Sequence, residues 1–169
     1  MYENQIVTEP KWKSWIIQTT KPLFTPEQCR KIIECGRRQP PQQAKVGMGR
    51  PGGGTDTKKR ITTVSWLPFG EMEPMYRDLN KFIQTCNENH FGFGDIRVTE
   101  NAQFTEYPEG GFYDWHMDCD VNMEHEPPVR KISMTLLLND PSEFEGGHLE
   151  LMAPGRFAEL KQGHAIVFA

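Results

Sequence analysis

Apolar residues recur at two spacings along this chain, and the change from one to the other near residue 95 divides it. Trp12 to Thr19 is rich in aromatic and β-branched residues and predicts an early strand. Thr25 can cap a helix, Pro26 suits its first position and Gln28 completes a capping box, so PEQCRKIIECG is expected to be helical and to stop at Gly36. Residues 38–57 (RQPPQQAKVGMGRPGGGTDT) hold too much Pro and Gly for regular structure and read as a long loop or flap. Ile61 to Leu67 then reads as a strand, and Glu71 to about Asn87, with Met75, Leu79, Phe82 and Ile83 at helical spacing, as an amphipathic helix.

Beyond residue 95 the pattern shortens to strands separated by turns: IRVTENAQFTEY, a PEGG turn, FYDWHMD, VRKISMTLLLND, GGHLELMAPG and GHAIVF. Helices followed by a run of strands suggest a mainly β fold with N-terminal helices packed on one face, for which a sandwich or jelly roll is the natural candidate. With 169 residues the chain is expected to form a single domain, 1–169, its helical support over about 24–90 and its β core over about 95–169.

Composition changes this picture little. At 37% hydrophobic residues the chain has no apolar run near the roughly 18 residues that span a bilayer, so no membrane partner is expected. The start, MYENQIVTEPKWKSW, lacks the basic and apolar regions of a secretory signal, and a cytoplasmic location is expected. A net charge of −4 signals no nucleic acid partner, and Lys58, Lys59 and Arg60 read as a solvated loop. Cys29, Cys35, Cys86 and Cys119 lack CxxC spacing and read as reduced thiols.

Candidate chemistry centres on FYDWHMDCD. On a strand, His116, Asp118 and Asp120 would share one face and Met117 and Cys119 the other, with Trp115 packing opposite His116. An imidazole and a carboxylate two residues apart can grip one ion, as in two-His, one-carboxylate sites that leave positions open for O2 and a cosubstrate. Other motifs fail on their own mechanics. DCDVNMEHE has Met123 where a calcium loop needs Gly and Val129 where it needs Glu. Gly47, Gly49 and Gly52 follow no strand and open no helix, so no dinucleotide site is expected there. No Ser or Cys nucleophile with a base is visible.

The stretches QFTEYPEGGFYDWHMD, RKISMTLLLNDPSEFEGGHLEL and LKQGHAIVF closely resemble the prolyl 4-hydroxylase-like branch of the Fe(II)/2-oxoglutarate-dependent dioxygenase superfamily, including the PKHD-type hydroxylases. The resemblance covers roughly residues 95–169 and implies a double-stranded β-helix, or jelly roll. It implies Fe(2+) and 2-oxoglutarate as cofactor and cosubstrate, and allows ascorbate as an auxiliary reductant. Carried over by position, His116 and Asp118 match the first two metal ligands and Tyr107 matches a tyrosine that hydrogen-bonds 2-oxoglutarate. Thr135, or Ser133 on the same face, matches a pocket-lining residue, and Gly146 and Gly147 match a structural turn.

In the family a strand like GHAIVF leads on to a distal histidine and a cationic anchor for 2-oxoglutarate. Since the sequence stops at Ala169, the core is expected to be C-terminally incomplete, its last strands missing. His164, His148, His125 and His90 are expected to be structural or solvated. The implied activity is hydroxylation of an unactivated C–H in a protein side chain, prolyl-like, or in a small molecule, with residues 38–57 as a lid over it. The alternatives are a truncated, non-catalytic module with weak metal binding and a cupin-like metal protein.

Overall fold

Thr25 opens the first helix as its sequence predicts: its side chain accepts from the Gln28 amide at 3.2 Å while Gln28 Oε1 accepts from the Thr25 amide at 2.8 Å. The fold is that of a computed structural model, which describes residues 14–44, 54–118, 130–152 and 159–169. The expectations for Asp120, Cys119, Met123 and His125, and for residues 45–53 of the lid with Gly47, Gly49 and Gly52, lie outside the described residues.

In chain order the elements are β1 (Ile16–Gln18), α1 (Pro26–Arg38), β2 (Gln42–Gln43), β3 (Arg60–Ile61), β4 (Thr63–Trp66) and α2 (Glu73–Cys86). A π-helical turn, Asn87–Phe91, extends α2, and β5 (Gln103–Glu106), β6 (Phe112–Tyr113), β7 (Ser133–Leu136) and β8 (Ala165–Phe168) follow. All strand pairings described are antiparallel, in the orders β1-β8-β7, β2-β4-β5 and β3-β6. The architecture is therefore mainly strands with two helices, as expected.

Helix α1 covers one face of the β2-β4-β5 sheet. Phe104 of β5 joins Phe24, Cys29, Ile32 and Cys35 in the core, together with Leu67 and with Met75, Tyr76 and Leu79 of α2. Farther along α2, Ile83 and Cys86 pack with Phe91 and with Val167 of β8. One amphipathic helix thus buries its apolar stripe against elements of both three-stranded sheets. Burying a phenol requires partners for its oxygen; Tyr76 Oη donates to the Leu67 carbonyl at 2.6 Å and accepts from the Ala102 amide at 2.7 Å.

Several boundaries differ from the sequence expectation. Helix α1 runs through Gly36 to Arg38 and ends at Gln39, just before Pro40 and Pro41. Gly36 is not a stop; a Cβ there would overlap the Phe104 ring. The strand expected over Ile61–Leu67 is two strands, because the chain changes partners at Thr62, pairing first with β6 and then with β2 and β5. FYDWHMD is strand only at Phe112–Tyr113, and the expected GGHLEL strand is irregular, with residues 146–150 exposed. Arg60 is not part of a solvated loop: it is 7% exposed.

Candidate metal centre

Strand β6 ends because Asp114 turns the chain. Its amide donates to the Lys59 carbonyl at 2.8 Å, and its Oδ1 accepts from the Trp115 amide at 2.8 Å, which diverts the backbone from the ladder. As a result Trp115 points outward, 60% exposed, rather than packing behind His116 as expected. The same turn brings the imidazole back: His116 Nδ1 donates to the Asp114 carbonyl at 2.8 Å.

That bond fixes the chemistry of the ring. A carbonyl only accepts, so Nδ1 carries the hydrogen and the Nε2 lone pair is free for a cation. Nε2 lies 3.2 Å from Asp118 Oδ1. A lone pair facing a carboxylate is favourable only with a positive charge between them, either a proton on Nε2 or a metal ion. Donors bound to one ion at about 2.0–2.2 Å in adjacent positions stand ~3 Å apart, so the pair fits a small divalent ion. Both side chains remain about one-third exposed, which leaves room for further ligands. Among the described residues no group of three or more His, Cys, Asp or Glu could share such an ion.

The surroundings hold the pair in place. Tyr113 stacks on His116, centroids 3.6 Å apart and planes at 13°. On the other side of the sequence, Arg130 pairs with Glu100 through Nε at 3.1 Å and Nη2 at 2.8 Å and donates from Nη1 to the Asp118 carbonyl at 2.8 Å. Asp118 is thereby tied to a residue far from it in sequence.

Tyr107 follows the end of β5 and is 53% exposed. Burial of its phenol raises its pKa above the ordinary 10.0, the charge of Arg60 opposes the rise and Tyr113 adds to it; at so open a ring, solvent screening keeps these influences modest. Thr135 does not join the cluster. It is exposed on β7 opposite Ile166 of β8, with no hydrogen bond or ion pair to Tyr107, His116 or Asp118 among the described residues. Ser133 lies on the same strand opposite Phe168. His164 is structural as expected, its Nδ1 lying 3.1 Å from the Thr19 carbonyl oxygen and tying β8 to the end of β1. Arg60, Tyr113, Asp114 and Arg130 were not legible as site residues, because each acts through a partner distant in sequence or through a turn.

Residues 102–169 match the family described as the 2OG-Fe(II) oxygenase superfamily. That segment is similar in sequence to 2OG-Fe(II) oxygenases. It contains Tyr107, His116, Asp118 and Thr135, and it excludes Arg60. The chain is similar to a PKHD-type hydroxylase of Prochlorococcus marinus, 34% identical over 74 residues, which cover 43% of this chain and 32% of the relative. A PKHD-type hydroxylase of Gluconacetobacter diazotrophicus is 38% identical over 61 residues, covering 34% of this chain and 27% of the relative. The matched residues therefore span about a third of these relatives or less. Superfamily members as a class use Fe(II) and 2-oxoglutarate. No solved structure matches, and among the described residues no helix is long and apolar enough to cross a membrane.

Proposed function

We propose that this chain contributes to an Fe(II)- and 2-oxoglutarate-dependent oxygenase of jelly-roll type that hydroxylates an unactivated C–H of a prolyl-like protein side chain or a small molecule. In this reading His116 and Asp118 are metal ligands. The observation that carries it is the opposed pair, Nε2 and Oδ1 3.2 Å apart, with Nδ1 already committed to the Asp114 carbonyl.

His116 and Asp118 would hold Fe(II), which together with 2-oxoglutarate would supply the O2 activation that an unreactive C–H requires. The chain's own residues prepare for it. Asp114 selects the imidazole tautomer, Tyr113 fixes the ring plane and Arg130 holds the Asp118 backbone. Tyr107, half-exposed just after β5, would offer a hydroxyl to the cosubstrate. Ascorbate would serve as an auxiliary reductant.

A second reading follows from the two donors found among the described residues: a non-catalytic module that binds metal weakly, since two donors chelate less strongly than three. Co(II) absorption, followed anaerobically, and succinate release with Fe(II), 2-oxoglutarate and ascorbate separate the two. The oxygenase reading expects both signals, each lost in His116→Ala. Co(II) binding without succinate favours the module, and a His116→Ala protein that binds Co(II) as well as the parent overturns the ligand assignment.

A further inference from the structure

The strand that delivers His116 is short. β6 has two residues, and the ladder it forms with the two residues of β3 is too small to be stable by itself. Contacts outside the ladder must fix it to the body of the fold, and the side chain of Arg60 makes them. Arg60 is 7% exposed and stands in β3 directly across from Tyr113 of β6. Its Nε donates to Thr62 Oγ1 at 2.8 Å, where the chain passes from β3 to β4, and its Nη2 donates to Gln103 Oε1 of β5 at 3.0 Å. The same guanidinium lies over the Tyr113 ring, 4.2 Å from its centroid. One side chain thus ties β6 to the sheet that holds β4 and β5.

The neighbours of Tyr113 settle which face each one covers. His116 stacks on the ring with centroids 3.6 Å apart and planes at 13°, so it fills one face. A second planar group 4.2 Å from the same centroid would collide with the imidazole on that side, so Arg60 occupies the other. Tyr113 is therefore clamped between guanidinium and imidazole. Thr62 and Gln103 are neutral acceptors, and no carboxylate among the described residues pairs with Arg60. The electron-rich face of the tyrosine supplies negative potential to the cation, an attraction that grows as water is excluded. Arg60 lies outside residues 102–169, so its place beside the pair comes from the fold and not from the family match.

We propose that Arg60 is a positioning residue for the metal pair: by clamping Tyr113 against the imidazole, it sets the plane in which His116 presents Nε2 to an ion. The role toward metal rests on the reading of His116 as a ligand; the clamp does not. Lysine would keep the charge but lose the planar fork that reaches Thr62 and Gln103 at once, and methionine would keep only an apolar stem.

The test reads the clamp in the metal-free full chain by proton NMR, at a pH where the imidazole is neutral in every protein compared. A ring stacked on His116 shifts its imidazole C–H protons upfield, and Tyr113→Leu gives the unstacked reference. Arg60→Lys and Arg60→Met are expected to lose most of that upfield shift. Gln103→Leu, at an exposed position, is expected to lose part of it and stays informative if the Arg60 variants do not fold. Co(II) affinity is expected to fall about tenfold in Arg60→Met, within the range of outer contacts that orient a ligand. A parent-like shift in the folded Arg60 variants, or in Gln103→Leu where those do not fold, overturns the proposal. So does a lost shift with unchanged Co(II) affinity. A parent that binds no Co(II) sinks the ligand assignment and the positioning role with it, and the shifts distinguish that failure from failure of the clamp.

Discussion

The imidazole of His116 lies almost flat on the ring of Tyr113, and the guanidinium of Arg60 covers the same tyrosine ring. A ligand ring held by packing loses little freedom when it binds an ion, and outer contacts of this kind are worth about 10–100-fold in metal affinity. Tyr113→Ala is therefore expected to weaken Co(II) binding by about tenfold. Tyr113→Phe keeps the stack and should bind like the parent. Equal affinity in all three proteins would remove the stack from the account.

Gly36 and Phe104 give a prediction whose sign depends on tertiary packing. In an exposed helix Gly→Ala stabilises by roughly 0.5–1 kcal/mol. Here the added Cβ meets the Phe104 ring, and overpacking of a core costs about 1–3 kcal/mol. Gly36→Ala should lower the urea midpoint; Gly36→Ala with Phe104→Leu should recover part of the loss.

The capping box at Thr25 makes a simpler claim. Thr25→Ala removes the acceptor for the Gln28 amide, and is expected to cost about 1 kcal/mol by urea denaturation. Thr25→Ser keeps that oxygen and should lie near the parent.

Alkaline pH should destabilise the fold. Burial pushes the Cys86 thiol from its ordinary 9.0 up to about 11. Burial likewise raises Cys29, Cys35 and Tyr76. The folded state then keeps protons that the unfolded chain releases. The contribution of Cys86 is fully present below about pH 9 and is lost as pH rises through about 11. Urea midpoints measured across that range should fall, and less steeply in Cys86→Ala; a flat profile would contradict the burial of these groups.

Local signals were legible where the cause is local. The cap at Thr25 and Gln28, the apolar stripe of α2 at Met75, Leu79 and Ile83, and the strands at β1, β7 and β8 follow from residue type and spacing. FYDWHMD was harder, because alternation favoured a strand while the Asp114 side chain competed for the next amide and ended it after two residues. His116 Nε2 and Asp118 Oδ1 nevertheless lie 3.2 Å apart, since a turn as well as a strand can bring residues two apart together.

By itself, the sequence determined the capped helix, the apolar faces and the His116–Asp118 pairing of residue types, because these depend on contacts within a few residues. Tertiary structure decided the rest: that Gly36 yields space to Phe104, that Thr135 stands apart from the pair, and that Arg60 is a buried cation rather than a solvated one. Each of those outcomes depends on which element is set against which, as α1 is against Phe104 and Arg60 against Tyr113, and residue order along the chain does not encode that choice locally.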